Sequence, residues 1–461
     1  MKAILVDASI SSCGFKSYNT GELMESSWIH HGLCSISAYA KQAGHSISLI
    51  DLRTLAGYEE FKAEIEKRKP AAVGLSMMSV DFDAVTKCAA LIKQVDSAIK
   101  VIVGGPHPSI MPEEVSANPQ FDHIVLGEGE ITFTDILNSL EAGRQIERII
   151  RGTPADLDRL PFADRELYGG HEAPILAELP VPFMTVIAAR GCIYNCSFCQ
   201  PAEKIIFGKG LRRRSVPSLL SELETLRDKY GLKSLMIHDD CFTEDVEYVK
   251  EFCAGYTARG FKMPFVCQSR ADIICRNEET IKMMRAAGLH MFIIGFESGN
   301  QRILNFLRKG TKVEHNIKAA EICRKYGIKV WANYMLGIPG EKKRETMDTV
   351  RMIKKIKPDH YSPAFFTPHP GSDLFTYCEN NGLSLIKSHE EYRRSPLGQK
   401  IKGIDYEFLK RALADSMDPV THSAFFRFKK FAVYGTAAAL KKTAPGRKIV
   451  ELVKKAVRSG K

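Results

Sequence analysis

Short apolar segments alternate with amphipathic segments along most of this chain of 461 residues. The apolar segments have the length of buried strands, and the segments between them show the 3.6-residue period of helices. A helix after each strand returns the chain to the same end of the sheet, so successive strands pair in parallel. The alternation therefore restricts the fold to the α/β class, with helices on the faces of parallel sheets.

The alternation occurs in two separate parts of the chain, residues 1–150 and residues 183–375. Because a domain has about 100–200 residues, each part has the size of one domain. The first part predicts a doubly wound parallel sheet, and the second predicts a partial (β/α)6 barrel. Residues 151–182, rich in Pro, Asp and Gly, predict a linker. Residues 376–461 predict a helical, basic C-terminal region.

The charge balance of the chain is basic, with 65 Lys and Arg against 54 Asp and Glu, a formal net charge of +11. Nucleic acid, an anionic membrane surface and acidic small molecules are all partners that such a charge attracts. An ordinary basic enzyme has the same balance, so net charge alone does not choose among these classes.

The chain has 12 cysteines, and only Cys192, Cys196 and Cys199 are closely spaced. A chain of this size has no need of a disulfide framework, and its first residues lack the apolar core of an export signal. No apolar stretch of about 18 residues predicts a membrane span. We therefore expect a reducing, cytoplasmic location.

The clustered cysteines form a C-x3-C-x2-C motif directly after a predicted strand, Phe183–Ala188. Thiolates are the ligands of iron–sulfur clusters, and three of them leave one iron of a 4Fe-4S cubane without a protein ligand. A zinc site requires a fourth protein ligand, which a second Cys or His pair usually supplies. No such pair is near, since His171 and His238 are isolated in the sequence. The motif therefore favours an iron–sulfur cluster with an open iron.

With Phe198 before its third cysteine, the segment resembles the motif of the radical S-adenosylmethionine superfamily, and the resemblance extends over about residues 183–375. It implies that the open iron binds S-adenosylmethionine. Reductive cleavage then gives methionine and a 5′-deoxyadenosyl radical, which abstracts hydrogen from an unactivated C–H bond. It also implies an electron donor such as flavodoxin or ferredoxin.

Two further strand ends resemble segments that bind the methionine part of S-adenosylmethionine in this superfamily. Asp239 and Asp240 follow one strand, and the resemblance implies that they contact the amine. A helix N-cap near Thr243 is the alternative role for at least one of them. Ser269 and Arg270 end the next strand, and Arg270 is implied to hold the carboxylate.

The two strand ends after these resemble the segments that contact adenosine. Glu297, in the sequence Gly-Phe-Glu-Ser-Gly, is implied to contact the ribose. The turn at Gly337, Ile338 and Pro339 is implied to pack against adenine through its backbone. Each of these segments alone is also explained as ordinary turn chemistry.

Glycine-rich segments also follow strands in the first part of the chain. A dinucleotide site is not predicted, because no G-x-G-x-x-G sequence opens the first helix. Instead the segments resemble the Rossmann-like cobalamin-binding domain that is fused to many radical S-adenosylmethionine enzymes. The resemblance implies that cobalamin lies against six residues at these strand ends: Ser76, Gly104, Gly105, Gly127, Glu128 and Gly129.

The sequence departs from the wider cobalamin-binding family at one point. The D-x-H-x-x-G motif, which supplies a histidine ligand to cobalt, is absent. His45 does not fit this motif, and His107 is on a different predicted loop. Because many members of the fused subfamily lack the motif, we still expect cobalamin, with its lower face unligated or bound to water.

The resemblances together predict a cobalamin-dependent radical methylase that acts on an unactivated carbon of a small-molecule or lipid substrate. A first alternative keeps both cofactors but catalyses cyclisation, rearrangement or C–C bond formation on a tetrapyrrole or lipid. A second alternative is a non-catalytic cofactor-binding protein or a zinc-dependent nucleic-acid-binding protein. We expect no nucleic-acid partner, because the strand-end motifs are those of an enzyme.

The C-terminal segment Phe425–Lys461 mixes aromatic residues with many Lys and Arg. This composition predicts either a peripheral contact with a membrane surface or a terminal helix whose aromatic residues pack on the barrel.

Overall fold

Two six-stranded parallel sheets, each with its own helices, follow one another along the chain. The structure is a computed structural model, and it describes residues 1–11, 14–17, 28–170, 172 and 178–417. All strand pairs within the two sheets are parallel, as the alternation of strands and helices predicts.

The first sheet contains strands β1 to β6 in the order β2-β1-β3-β4-β5-β6. Its strands are Lys2–Asp7, Ser46–Asp51, Ala72–Ser76, Lys100–Gly104, His123–Leu126 and Ile149–Arg151. Its helices, α1 to α6, are His31–Gln42, Tyr58–Arg68, Phe82–Val95, Pro106–Ile110, Pro112–Ser116 and Glu130–Glu141.

Apolar side chains bury both faces of the first sheet. Strand β3, Ala-Val-Gly-Leu-Ser, is buried over its first four residues, as a strand with helices on both faces must be. Helix α3 buries Val85, Cys88, Ala89 and Ile92, a spacing that lies along one helix face. The sequence pattern therefore accounts directly for the layers of this domain.

The strand order reverses between β1 and β3, because β2 lies on one side of β1 and all later strands lie on the other. At such a switch point the helices that follow the two central strands leave the sheet in opposite directions. A crevice opens between them at the carboxyl ends of the strands, where ligands of this fold class bind.

The second sheet contains six strands in the order β14-β13-β12-β11-β10-β7 and curls into a half-barrel. These strands are Phe183–Val186 (β7), Ser234–Ile237 (β10), Phe265–Ser269 (β11), Leu289–Glu297 (β12), Lys329–Leu336 (β13) and His360–Phe365 (β14). Ala189–Arg190 (β8) and Arg212–Arg213 (β9) pair separately and antiparallel.

The helices that follow are numbered α7 to α16. They are Ala202–Phe207, Val216–Tyr230, Val246–Ala258, Ala271–Arg276, Glu278–Ala287, Gln301–Phe306, Val313–Lys325, Lys343–Ile356, Asp373–Asn380 and Tyr406–Ser416. The six predicted strands of the partial barrel are confirmed. Helices α7, α10 and α12 are additional, because segments of six residues are too short to show a helical period.

The half-barrel has an apolar layer on each side of its sheet. The larger layer packs the strands against helices α8 to α11, α13, α14 and α16. The smaller layer lies on the concave side and includes Phe183, Met236, Val266 and Met291. Side chains alternate between these layers along each strand, so both faces require apolar residues.

The segment between the two sheets is held by buried contacts. A 3-10 turn covers Arg165–Tyr168, and the Tyr168 hydroxyl donates to Asp7 Oδ2 at 2.8 Å. Arg165 is 3% exposed and bonds Glu172 Oε1 and the Thr185 carbonyl oxygen, each at 2.6 Å. These contacts fasten the first sheet to the first strand of the half-barrel.

The C-terminal region differs in detail from the helical prediction. Helix α16 fits it, but residues 381–405 are mostly non-helical, apart from a 3-10 turn at His389–Tyr392. Contacts with other elements hold this stretch: the Phe365 N–H of β14 donates to the Ser395 carbonyl oxygen at 3.3 Å, and the backbone N–H groups of Lys400 and Ile401 both donate to the hydroxyl of Tyr406 on α16 at 2.8 Å. The predictions for Phe425–Lys461 fall on residues outside the described part.

No helix in the described part of the chain has the length and apolar character needed to cross a membrane.

A buried ion-pair group joins the two domains. Arg190, on β8, bonds Glu128 at 2.7 Å and Glu130 at 2.5 Å, and Arg212 also pairs with Glu128. Both carboxylates are buried, Glu128 being 6% and Glu130 3% exposed. Burial alone would raise the pKa of Glu130, but Arg190 outweighs it and holds the pKa below its usual range. The Glu130 carboxylate therefore stays ionised at neutral pH.

Replacing Arg190 tests how much this group stabilises the chain. Arg190→Met leaves the buried Glu130 carboxylate without its arginine and Glu128 with Arg212 alone, so we expect the free energy of unfolding to fall by about 3 kcal/mol. Urea unfolding followed by circular dichroism measures the change. Arg159→Met is the matched control, because Arg159 pairs with Asp156 on the exposed surface. Equal effects of the two substitutions would contradict this role for Arg190.

Candidate functional site

A cavity of about 610 Å³ lies between the carboxyl ends of the two sheets. The first sheet contributes residues from β1 and β3, the strands of the switch point, and from the loops after β4 and β5. The second domain contributes the chain after β7, helix α7 and the end of β10. Ligands bound by the two domains would therefore share one space.

All six residues predicted for cobalamin binding line this cavity: Ser76, Gly104, Gly105, Gly127, Glu128 and Gly129. Gly105 has φ +109°, and a Cβ there would lie 3.0 Å from the Met77 carbonyl oxygen. Only glycine suits this position, because a side chain would meet the Met77 backbone and the Ser76 hydroxyl. The Glu128 carboxylate, in contrast, is already paired with Arg190 and Arg212.

Two histidines at the start of α1 also line the cavity, and the sequence analysis missed both. His30 Nε2 lies 2.9 Å from Ser76 Oγ, and its Nδ1 accepts the Leu33 N–H at 3.2 Å. His31 Nε2 lies 2.7 Å from Thr185 Oγ1 of the half-barrel. The sequence shows only two adjacent histidines at the start of a helix. Their position at the cavity depends on how the sheet folds.

The three cysteines lie on the loop after β8 as free thiols. Cys192 is half-buried, Cys196 is buried, and Cys199 lines the cavity. The backbone N–H of Cys199 donates to the Cys196 carbonyl oxygen at 3.0 Å, which closes a tight turn. Burial raises the pKa of Cys192 to about 11, so a bound cation is needed to hold its thiolate at neutral pH.

The spacing of the thiols distinguishes a cluster from a single zinc ion. Sulfurs bound to one zinc at about 2.3 Å lie roughly 3.8 Å apart. Among the described residues the three thiols do not form a group whose ligand atoms all lie within 4.8 Å. Their wider spacing suits a group with several irons, each of which takes one thiolate.

Two buried cations lie beside the cysteines. Arg270 Nη1 is 3.9 Å from Cys196 Sγ, and the guanidinium stacks on the Tyr194 ring at 3.5 Å. Lys309 Nζ pairs with Glu297 Oε1 at 3.0 Å. Burial opposes the charge of Lys309, but Glu297 and Cys196 raise its pKa above the usual value. These charges favour an anionic group at the thiolates.

Sequence reasoning missed Lys309, which follows α12 and belongs to no strand end. Only its place in the folded chain identifies it. Phe198, which was predicted, packs in an apolar cluster and lies 5.9 Å from Lys309 Nζ.

Asp239 holds the chain that enters the cysteine loop. Its Oδ1 accepts the backbone N–H groups of Ala188 and Ala189 at 2.7 and 3.1 Å. Its Oδ2 has no hydrogen-bond partner among the described residues, although Asp239 is only 2% exposed and lines the cavity. One oxygen therefore has a structural role, while the other is free to meet a ligand.

Asp240 also lines the cavity, where it meets Glu203 of α7. Burial, and then the Asp240 carboxylate, raise the pKa of Glu203. The Glu203 carboxyl therefore keeps its proton more readily than an ordinary glutamate does. Sequence reasoning missed Glu203, although it comes only four residues after Cys199.

The residues predicted at the later strand ends do not line this cavity: Ser269, Arg270, Glu297 and the turn at Gly337, Ile338 and Pro339. Ser269 Oγ bonds Thr243 Oγ1 at 2.7 Å, and Arg270 also bonds Asp272 and the Lys309 carbonyl oxygen, at 3.1 and 2.6 Å. Glu297 has φ +59° and pairs with Lys309. Through Arg270 and Lys309 these residues surround the cysteine loop from within the half-barrel.

The turn at Gly337, Ile338 and Pro339 is buried against α16. Gly337 has φ +77°, and a Cβ there would lie 2.6 Å from Leu409 Cδ1. Its N–H donates to Glu341 Oε2 at 2.7 Å, and the Ile338 N–H donates to the same oxygen at 3.3 Å. The Ile338 carbonyl oxygen in turn accepts the Glu341 N–H at 2.9 Å, so Glu341 occupies these N–H groups and this carbonyl group.

Comparison with known families agrees with this division of the chain. Residues 23–137 match the B12 binding domain family, and residues 186–353 match the radical SAM superfamily.

Among similar proteins, an uncharacterized methyltransferase of Pyrococcus horikoshii is 28% identical over 400 residues, which cover 83% of this chain and 85% of that protein. The anaerobic magnesium-protoporphyrin IX monomethyl ester cyclase of Rubrivivax gelatinosus is 25% identical over 384 residues, covering 78% and 68%.

A solved structure of similar fold is the radical S-adenosylmethionine methyltransferase TsrM from Kitasatospora setae, with cobalamin and a 4Fe-4S cluster bound. It has a TM-score of 0.70 at 16% identity and covers 91% of this chain and 92% of that one.

A B12 binding domain thus precedes a radical SAM domain, and their strand ends face one cavity. This combination defines an enzyme class with two cofactors. The chain belongs to the cobalamin-dependent radical S-adenosylmethionine enzymes. The predicted fold class and family are confirmed, and with them the cofactors of the family: a 4Fe-4S cluster, S-adenosylmethionine and cobalamin.

Two substitutions at Asp239 separate its structural role from its charge. Asp239→Asn keeps an oxygen that accepts both N–H groups, so we expect the fold to persist. Asp239→Ala leaves the Ala188 and Ala189 N–H groups unpaired, and we expect the free energy of unfolding to fall by about 2 kcal/mol. Urea unfolding measures both. If the alanine variant were as stable as the asparagine variant, these hydrogen bonds would have no such role.

The pH dependence of the free energy of unfolding tests the protonation of Asp239. Burial raises the pKa of Asp239 to about 7, so the folded chain binds more protons than the unfolded chain between about pH 4 and pH 7. The contribution of Asp239 to stability therefore falls as the pH rises through this interval. We expect Asp239→Asn to gain stability relative to the wild type between pH 5.5 and pH 8. If the difference in the free energy of unfolding between the two proteins did not change with pH, the raised pKa of Asp239 would be contradicted.

Proposed function

We propose that this enzyme methylates an unactivated carbon of a small-molecule or lipid substrate. The observation that carries the proposal is the shared cavity, which places the glycine-rich loops of the first domain opposite Cys199 and Asp239. A substrate in this space would meet both cofactors at once. The names of the Pyrococcus protein and of TsrM, both methyltransferases, support methyl transfer over other outcomes.

The residues of the chain fit both groups. Three free thiols beside two buried cations suit the cluster, and we assign Cys192, Cys196 and Cys199 as its ligands. The glycine-lined cavity at the switch point suits cobalamin. When bound, the cluster supplies the electron that cleaves S-adenosylmethionine, and cobalamin carries the methyl group.

We assign S-adenosylmethionine to the space between the cysteine loop and the half-barrel strand ends. The free Oδ2 of Asp239 would accept a hydrogen bond from the methionine ammonium, and Asp240 would add a second carboxylate. Glu297 and the Gly337 turn are assigned to adenosine. Arg270 already bonds Asp272 and the Lys309 carbonyl oxygen, so we assign it to orient the cysteine loop as well as the methionine carboxylate.

Glu203, whose pKa is raised by burial and by Asp240, would give the cavity a carboxyl group that can release or take up a proton. The ion pair of Arg190 with Glu128 and Glu130 closes the junction between the domains beside the cavity, which helps to exclude water. We further propose a flavodoxin or ferredoxin as the electron donor.

A second candidate function is cyclisation, rearrangement or C–C bond formation without methyl transfer. The similarity to the Rubrivivax cyclase favours it. The two functions differ in their use of S-adenosylmethionine, since a methylase consumes a second molecule as methyl donor.

Anaerobic reconstitution with iron, sulfide and cobalamin tests the proposal. With S-adenosylmethionine and a chemical reductant, a methylase forms both 5′-deoxyadenosine and S-adenosylhomocysteine, which liquid chromatography quantifies. Deoxyadenosine alone would favour the second function. If neither product formed, both functions would be contradicted.

Substitution of the cysteines tests the cluster ligands. We expect Cys192→Ala, Cys196→Ala or Cys199→Ala each to abolish cluster absorbance and to lower deoxyadenosine formation at least about 100-fold, because one missing thiolate leaves a second iron without a protein ligand. Cys275→Ala is the control, since the Cys275 thiol bonds the His315 carbonyl oxygen on the helical side of the half-barrel. Full iron content in a triad variant would exclude that cysteine as a ligand.

A further inference from the structure

A second group of metal-ligating side chains lies away from the cavity. His107 Nε2 is 3.2 Å from Glu114 Oε2, and His389 Nε2 is 3.0 Å from Glu114 Oε1. Ligand atoms of all three residues lie within 4.8 Å of one another. His107 is on α4, Glu114 is on α5, and His389 opens the 3-10 turn after the half-barrel, so the chain must fold completely to form this group.

His107 has the environment of a ligand. Its side chain is 0% exposed, and its Nε2 makes no hydrogen bond with the described residues. Its other ring nitrogen, Nδ1, lies 3.0 Å from Ser79 Oγ. Metal-bound histidines are commonly oriented in this way, by a hydrogen bond at the nitrogen that does not face the metal. The Nε2 of His107 lies near Glu114 Oε2 without the geometry of a hydrogen bond, and a buried nitrogen in this position is costly unless something binds it.

His389 is oriented by its neighbours as well. The Phe82 ring stacks on it, with centroids 4.2 Å apart and planes 20° from parallel. Its Nδ1 lies 3.9 Å from Asp83 Oδ1, on the side away from Glu114. The side chain is 21% exposed, which leaves a route for an ion and a water molecule.

We propose that His107, Glu114 and His389 bind a divalent transition-metal ion of the Zn²⁺ type. Two histidines and one glutamate are an established ligand set for zinc, with water in the fourth position. Tetrahedral ligands at about 2.05 Å lie roughly 3.3 Å apart. Each histidine nitrogen lies close to this distance from one of the two Glu114 oxygens, His107 from Oε2 and His389 from Oε1. Nothing in the cysteine loop takes part, so this site is separate from the cluster and does not depend on the proposed reaction.

The ion would join the first domain to the segment that follows the half-barrel. Helix α4 begins directly after Gly104 and Gly105, whose backbone lines the cavity. Bound metal would hold α4 and the 3-10 turn of His389 together, and so would fix the wall of the cavity from behind.

Metal content of the full-length holoenzyme tests the site. The enzyme, with its cluster assembled, is incubated with Zn²⁺, desalted and analysed by mass spectrometry of the elements. We expect about one Zn²⁺ per chain in the wild type and less than a tenth of that in His389→Ala and Glu114→Gln. His290→Ala is the matched control, because His290 pairs with Glu178 in a similar half-exposed contact.

Two outcomes overturn the proposal: no Zn²⁺ retained by the wild type, or equal Zn²⁺ in all four proteins. Retention lost in Cys199→Ala but kept in His389→Ala would assign the zinc to the cysteine loop and would equally overturn it. Thermal unfolding gives an independent readout. Added Zn²⁺ should raise the Tm of the wild type and of His290→Ala, and it should leave the Tm of His389→Ala and Glu114→Gln unchanged.

Discussion

The buried ion pairs between Arg190 and the carboxylates Glu128 and Glu130 hold the two domains in their working arrangement. Arg190 lies two residues before Cys192, and Glu128 lies in a loop that lines the cavity. The contact therefore places the cysteine loop against the glycine-rich edge of the first sheet. Together with the contacts of Arg165 and Tyr168, it keeps the two sets of strand ends facing one cavity. Because both carboxylates are buried, losing their partner is costly, and the arrangement is strongly specified.

Most of the fold was predictable from the sequence, because the spacing of apolar residues that identifies each strand or helix lies within that element. Strands such as Phe265–Ser269 and helices such as Val216–Tyr230 lie where their apolar spacing predicts them. Residues 381–405 were not predictable in the same way, because tertiary contacts such as those at Tyr406 hold their extended backbone. Helix α12 was missed because six residues do not complete two turns.

The residues of the candidate site also fall into a predictable and an unpredictable group. Its thiols and glycines follow strands in the sequence, and the carboxyl ends of parallel strands meet at one edge, so position along the chain was sufficient. Lys309, Glu203 and His30 were not predictable, since each reaches the site only through the folding of a helix or loop. Contacts also changed the expected role of one predicted residue: Glu128 lines the cavity, but its carboxylate is bound to Arg190 rather than left for a cofactor.

The direction of synthesis gives the contact between Arg190 and the two carboxylates a further consequence. Domains generally fold as units, and the N-terminal one folds first as it leaves the ribosome. Glu128 and Glu130 are therefore in place on a finished sheet before Arg190 is translated. Arg190, two residues before Cys192, then emerges next to carboxylates that can bind it at once. The first domain can therefore fix the start of the cysteine loop while the rest of the half-barrel is still being made.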